Sequence, residues 1–111
     1  MTKDRRAAPR VRVNLQARWE GVITNGKATI TDLSRNGCFV LSGGQVKVRE
    51  LVWLEIELPS EHLLHFWAEV VDEASDIGFA VKFNSCSEED QQLLTDYVDH
   101  VFTSEPTKRS E

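Results

Sequence analysis

Two short stretches of this 111-residue chain hold side chains suited to ligand chemistry. Arg5-Arg6-Ala7-Ala8-Pro9-Arg10 gathers three guanidiniums, with Arg6 and Arg10 spaced R-x-x-x-R. A guanidinium is a planar fork that meets phosphate oxygens with two parallel hydrogen bonds and can lie flat on an aromatic base. Asp32-Leu33-Ser34-Arg35-Asn36-Gly37 brings a carboxylate, a hydroxyl and a glycine into one D-x-S-x-x-G segment. Asp and Ser side chains either meet a ligand or bond back to their own backbone, and Gly admits positive φ or close approach. Taken one at a time, the plainer readings lead. A basic N-terminal cluster is usually a solvated arm, and Asp32 and Ser34 are usually turn-formers.

Other constellations are weaker. His62 and His65 are three apart in a segment that reads as strand entry, so they need not share a face, and His100 is remote in sequence. No metal site is expected from them. Ser34, Asp32 and either His62 or His65 make a triad on paper, yet no nucleophile-elbow glycine pattern surrounds Ser34. No catalytic residue and no cofactor are expected. Cys38 and Cys86 are too few for a disulfide framework and fit a reduced compartment.

The elements that must position the two stretches follow from hydrophobic period. Val11, Val13, Leu15, Ala17 and Trp19 alternate with polar residues, the period of a half-buried strand. Asn25-Gly26 signals a hairpin turn. Strands are expected at about 27–33 and 38–41, then, after a turn at Gly43-Gly44, at 51–58, 63–72 and 78–83. Trp19 reads as core, whereas Trp53 and Trp67 lie opposite the regular apolar sets of their strands and are expected to pack under the helix instead. Beyond Ser87 the period becomes helical: Leu93, Leu94, Tyr97, Val98, Val101 and Phe102 form one apolar face. Ser87 with Asp90 resembles a capping box, and Glu88, Glu89 and Asp90 suit the helix N-terminus. The expected fold is all-β dominated: a small six-stranded antiparallel β-barrel with one C-terminal α-helix. Residues 1–10 read as a flexible basic arm, 11–103 as the barrel with its helix, and 104–111 as a disordered tail.

Charge narrows the ligand class. Residues 1–12 carry five basic and one acidic side chain, a net of +4, whereas the other 99 residues carry −9. An acidic body repels a long polyanion, so no long nucleic acid is expected as a partner; a small ligand with a few phosphates suits a local basic arm. A length of 111 residues allows one domain, and no apolar run reaches the ~20 residues of a membrane span. No secretory signal is read at the start, so a cytoplasmic protein without membrane insertion is expected.

The two motifs in this order resemble the PilZ domain family, whose paired hallmark is RxxxR followed by [D/N]xSxxG. Gly37-Cys38-Phe39-Val40 is similar to that family's third strand, Ile77-Gly78-Phe79-Ala80-Val81-Lys82-Phe83 to its last, and the segment after Ser87 to its C-terminal helix. The resemblance implies a split barrel and a non-catalytic bacterial receptor for the second messenger cyclic di-GMP. In that role arginine forks meet guanine O6 and N7 or phosphates, Asp32 accepts from the guanine N–H edge, and Ser34 donates to a phosphate or ties its turn. It nominates Arg5, Arg6, Arg10, Asp32, Ser34 and Gly37 for ligand binding, with Arg35, Asn36 and Gly78 as second-rank candidates. Arg5 directly before RxxxR favours an intercalated ligand pair, and a single ligand stays open.

One departure stands out. Some family members carry an aromatic residue after the Val-Val of the fifth strand, where it stacks on a guanine. Here Asp72 follows Val70-Val71, so either Trp67 or an arginine supplies the stacking or affinity is lower, and Asp72 near the phosphates would repel them. The implied output is an arm that orders on binding and changes a surface read by a downstream protein or by ligand-dependent self-association. The alternative reading is a PilZ-like protein–protein adapter that does not depend on nucleotide. A barrel that binds single-stranded nucleic acid would need a basic or aromatic strand face, where this chain has Glu55, Glu57, Glu69 and Asp72.

Overall fold

The alternation beginning at Val11 becomes strand β1 (Val11–Glu20), which buries Val11, Leu15, Ala17 and Trp19. It is followed by β2 (Asn25–Leu33), β3 (Gly37–Leu41), β4 (Leu51–Glu57), β5 (Leu63–Ala74), β6 (Gly78–Ser85) and helix α1 (Glu88–Ser104). These come from a computed structural model that describes residues 9–74 and 77–104. Of the expected tail 104–111, Ser104 is the last residue of α1, and residues 105–111, like the arm residues 1–8, lie outside the described residues.

All neighbouring strands are antiparallel, in the order β1-β2-β3-β6-β5-β4, and β4 returns to β1 to close the barrel. Closure pairs the strand edges that an open sheet would expose. The inward residues Ile30, Leu33, Val40, Leu54, Ile56, Phe66 and Phe79 are fully buried. Trp19 and Phe79 meet edge to face at 5.1 Å, and Phe66 stacks on Phe83 at 4.2 Å. Trp19 also donates its indole N–H to Ser42 Oγ at 3.0 Å, which satisfies its one buried donor.

Two turn expectations shift. The first hairpin reverses at Gly21–Thr24, closed by Gly21 N–H to the Thr24 carbonyl at 2.8 Å, and Asn25 and Gly26 are already paired with Glu20 and Trp19. A reversal at Asn25-Gly26 would set Ile30 opposite Gly21. The observed register sets it opposite Leu15, so core pairing overrides the local turn signal. The β3–β4 connection is not a tight turn at Gly43-Gly44 but a loop over the barrel end. Gly44 lies so close to the Trp19 ring that a Cβ there would clash. Glu50 anchors this loop, accepting from Val22 N–H at 2.7 Å and Lys47 N–H at 3.0 Å, and Glu73 accepts from Val48 N–H at 2.8 Å.

Helix α1 covers the opposite end, burying Leu94 and Val98, with Leu93, Tyr97 and Val101 half-buried against the core and Phe102 left exposed. Half of the expected capping box forms. Ser87 Oγ accepts from Asp90 N–H at 3.0 Å. The Asp90 carboxylate, instead of returning to the Ser87 N–H, accepts from His65 N–H on β5 at 3.0 Å. The short aspartate thereby ties the helix start to the barrel wall.

Candidate ligand-binding groove

The D-x-S-x-x-G segment turns the chain from β2 into β3. Ser34 is buried, and its hydroxyl is the staple of the turn. Its oxygen accepts from Asn36 N–H at 3.1 Å and Gly37 N–H at 3.3 Å, and the Ser34 backbone N–H reaches the Gly37 carbonyl at 2.9 Å. Ser34 thus takes the turn-forming role of its two expected ones. The Asn36 carbonyl accepts from Phe83 N–H at 2.8 Å and joins the turn to β6. Gly37 packs so tightly on β6 that a Cβ would run into the Val81 carbonyl oxygen, so only glycine lets β3 approach.

Asp32 projects outward near the end of β2. Its carboxylate lies 3.8 Å from Arg12 Nε, directly across the β1–β2 ladder. Both side chains are substantially exposed, so the contact steers the carboxylate without burying it. Arg10, exposed at the entry to β1, Asp32, Ser34, Asn36 and Gly37 line one groove of about 320 Å³ on the outer barrel wall. The structure therefore brings together four of the six principal candidates. Arg5 and Arg6 lie outside the described residues. Of the second-rank candidates, Asn36 is in the groove, and Arg35 is exposed and not part of its lining.

Gly78 is placed elsewhere, lining a larger cleft of about 780 Å³ at the loop end of the barrel. A Cβ on Gly78 would strike the Val40 carbonyl and the Phe39 ring. Its connection to the groove is indirect: it gives Phe39 room, and Phe39 is itself a groove residue.

Three contributors escaped the sequence reading. Phe39 and Lys82 line the groove, and Arg12 orients Asp32 from beside it. Lys82 sits across from Gly37 on β6, and no carboxylate among the described residues lies within ion-pair distance of it. The available signal was alternation, which turns Arg12 and Lys82 outward; the strand neighbours that put them beside Asp32 and Gly37 were not readable. Val71 lines the groove, and Asp72 does not, because the irregularity between Val70 and Asp72 shifts the register there. Trp67 pairs edge to face with Trp53 at 5.1 Å on the outer face of β4 and β5, outside the groove lining. Trp67 is thus not placed to stack in this groove, whereas Phe39 and Arg10 are part of its lining. The charged residues of the lining are Arg10, Lys82 and Asp32, while Glu69 and Asp72 stand across the β5–β6 ladder from Lys82 and Ala80.

Among the described residues no three His, Cys, Asp or Glu side chains gather as metal ligands, and no helix is long and apolar enough to cross a membrane.

The PilZ domain profile matches residues 4–100. No curated protein matches the chain in sequence. Among solved structures, the chain is similar to the Bacillus subtilis inhibitor of motility MotI/DgrA, with a TM-score of 0.78 at 18% identity. That match covers 93% of this chain and 53% of MotI/DgrA, so the chain spans about half of that protein's length. It is also similar to the PilZ domain of CeSA from a cellulose-synthesizing bacterium, with a TM-score of 0.65 at 12% identity over 85% of this chain and 98% of that one. At these identities the structural likeness speaks for the fold. The profile match over most of the sequence, with the closed six-stranded barrel and its C-terminal helix, makes this chain a member of the PilZ domain family.

Proposed function

We propose that the chain is a non-catalytic receptor for cyclic di-GMP, held between the arginine arm and the groove beside the Asp32–Gly37 turn. The observation that carries this reading is the convergence of Arg10, Asp32 and Lys82 on one groove at the point where the arm joins the barrel. The ligand offers what these groups complement. Its phosphodiesters suit Arg10 and Lys82, the guanine N–H edge suits the Asp32 carboxylate, and flat bases suit arginine forks and the Phe39 ring. Arg5 and Arg6 complete the clamp by drawing residues 5–10 over the groove, with Arg5 available to a second, intercalated ligand.

Fixing the arm costs roughly 1–2 kcal/mol per residue. Charge-assisted hydrogen bonds, each about 1.5–3 kcal/mol, offset that cost when several form together. The signal is the surface made where arm meets barrel, read by a downstream protein or a second copy. The test is a nitrogen–proton correlation spectrum during titration with cyclic di-GMP. Shifts centred on residues 32–39 and 80–82 are expected. Saturable shifts centred on the 780 Å³ loop-end cleft instead would reject the groove.

A further inference from the structure

A second feature lies on a different wall of the barrel. Among the outward residues of β4 and β5 stand four large apolar side chains, Leu51, Trp53, Leu63 and Trp67, beside Glu55, Glu57, His65 and Glu69. Trp53 sits directly across the ladder from Trp67, with Leu51 and Leu63 at the two ends of the same face. Trp67, Leu51 and Leu63 are each nearly half exposed, at 47%, 48% and 46%. The aromatic pair is held in place. Trp53 stacks on the His65 ring at 5.6 Å and an interplanar angle of 13°, and His65 Nε2 lies 3.2 Å from Glu55 Oε1. The backbone N–H of His65 is in turn fixed by Asp90 of α1. Such anchoring gives a rigid aromatic surface that loses little rotamer freedom on binding.

Charge around this face is one-sided. β4 and β5 carry five carboxylates, Glu55, Glu57, Glu69, Asp72 and Glu73, and no lysine or arginine. Glu20 of β1 adds another directly opposite Trp53. Glu55 is engaged by His65 and Glu73 by the Val48 amide, while Glu20, Glu57 and Glu69 have no ion partner among the described residues. Arg18 and Lys82 on the flanking strands are the nearest basic residues in register. The barrel is closed, so no strand can be added here and recognition must run through side chains.

We infer that the Trp53–Trp67 face is a docking surface for a basic amphipathic helix of a partner protein, whose apolar side chains cover the tryptophans and whose lysines or arginines meet Glu20, Glu57 and Glu69. Arginine is favoured at the centre, because a guanidinium can lie over an indole and pair with a carboxylate at once. The face adjoins the groove where Glu69 stands across the β5–β6 ladder from Lys82, but Trp53 and Trp67 lie outside the groove lining, so docking on the tryptophans does not require the groove to bind nucleotide.

Two synthetic amphipathic helical peptides of equal length and apolar content test it, one with arginine and the other with glutamate on its polar face. Binding is read from tryptophan fluorescence and from amide shifts of β4 and β5. The arginine peptide is expected to bind saturably at this face, at least tenfold more tightly than the glutamate peptide. Trp67→Ser should weaken it at least tenfold, and a Glu57→Lys/Glu69→Lys variant should reverse the preference, with both variants keeping the wild-type circular dichroism spectrum. Equal binding of the two peptides, or an affinity untouched by Trp67→Ser, would overturn the inference. So would sedimentation showing a dimer that Trp67→Ser dissociates, since the occupant would then be a second copy.

Discussion

Arg12 and Asp32 face each other across the β1–β2 ladder, with Arg12 Nε 3.8 Å from Asp32 Oδ1. The carboxylate proposed to meet the guanine edge thus has beside it a cation from the strand that the arm leads into. Because the pair is exposed, its loss should cost stability no more than about 1 kcal/mol. Its loss should be felt in ligand binding. Arg12→Ala is expected to weaken cyclic di-GMP severalfold with the melting temperature nearly unchanged, and Asp32→Asn to weaken it more. Calorimetric titration beside thermal melts separates the two effects.

Lys82 gives a second prediction about the groove. It is exposed and has no carboxylate partner among the described residues, so removing it leaves nothing buried and unpaired. Lys82→Ala should change unfolding free energy by less than about 0.5 kcal/mol. Loss of one charge-assisted bond of about 1.5 kcal/mol would weaken ligand binding roughly tenfold. Repeating the titration at higher salt should narrow the gap between wild type and variant.

The turn itself should behave as structure before it behaves as ligand contact. Ser34→Ala removes the acceptor of two backbone donors at a part-buried turn and should destabilise by about 0.5–1.5 kcal/mol. Gly37→Ala forces a methyl against the Val81 carbonyl, an overpacking cost of about 1–3 kcal/mol or more. Urea unfolding checks both. A Ser34→Ala protein of wild-type stability would contradict the staple role.

Burial pushes the Cys38 thiol up, far above its ordinary value near 9. Its folded-state value is raised, so its contribution to stability is complete below pH 9 and is lost as pH rises beyond it, where only the unfolded chain ionises. Relative to Cys38→Val, wild type should therefore lose roughly 1.4 kcal/mol of unfolding free energy per pH unit above about pH 9. Denaturant melts of both proteins between pH 7 and 10.5 read the difference. A constant difference across that range would mean that Cys38 is not sealed from water.

The barrel was readable because each strand buries alternate side chains, as in Val52, Leu54 and Ile56, and the helix because Leu94 and Val98 recur at its period. What escaped was long-range. The Gly21–Thr24 reversal is chosen by the match of Ile30 to Leu15, a partner no local signal names. Its position three residues after Ser87 marks Asp90 as a capping residue, yet its carboxylate goes to His65, twenty-five residues back. In the groove, Asp32, Ser34 and Gly37 are legible because D-x-S-x-x-G after R-x-x-x-R resembles the paired PilZ motifs. Phe39 and Lys82 looked like ordinary strand residues until β3 and β6 were seen side by side.

The most direct test of the receptor reading is isothermal titration of cyclic di-GMP into the full chain and into an Arg6→Ala/Arg10→Ala variant. Saturable binding by the wild type is expected, lost or weakened at least a hundredfold in the variant. The molar ratio then reports whether one ligand or an intercalated pair is held. No binding by the wild type, or equal binding by both proteins, would contradict the account.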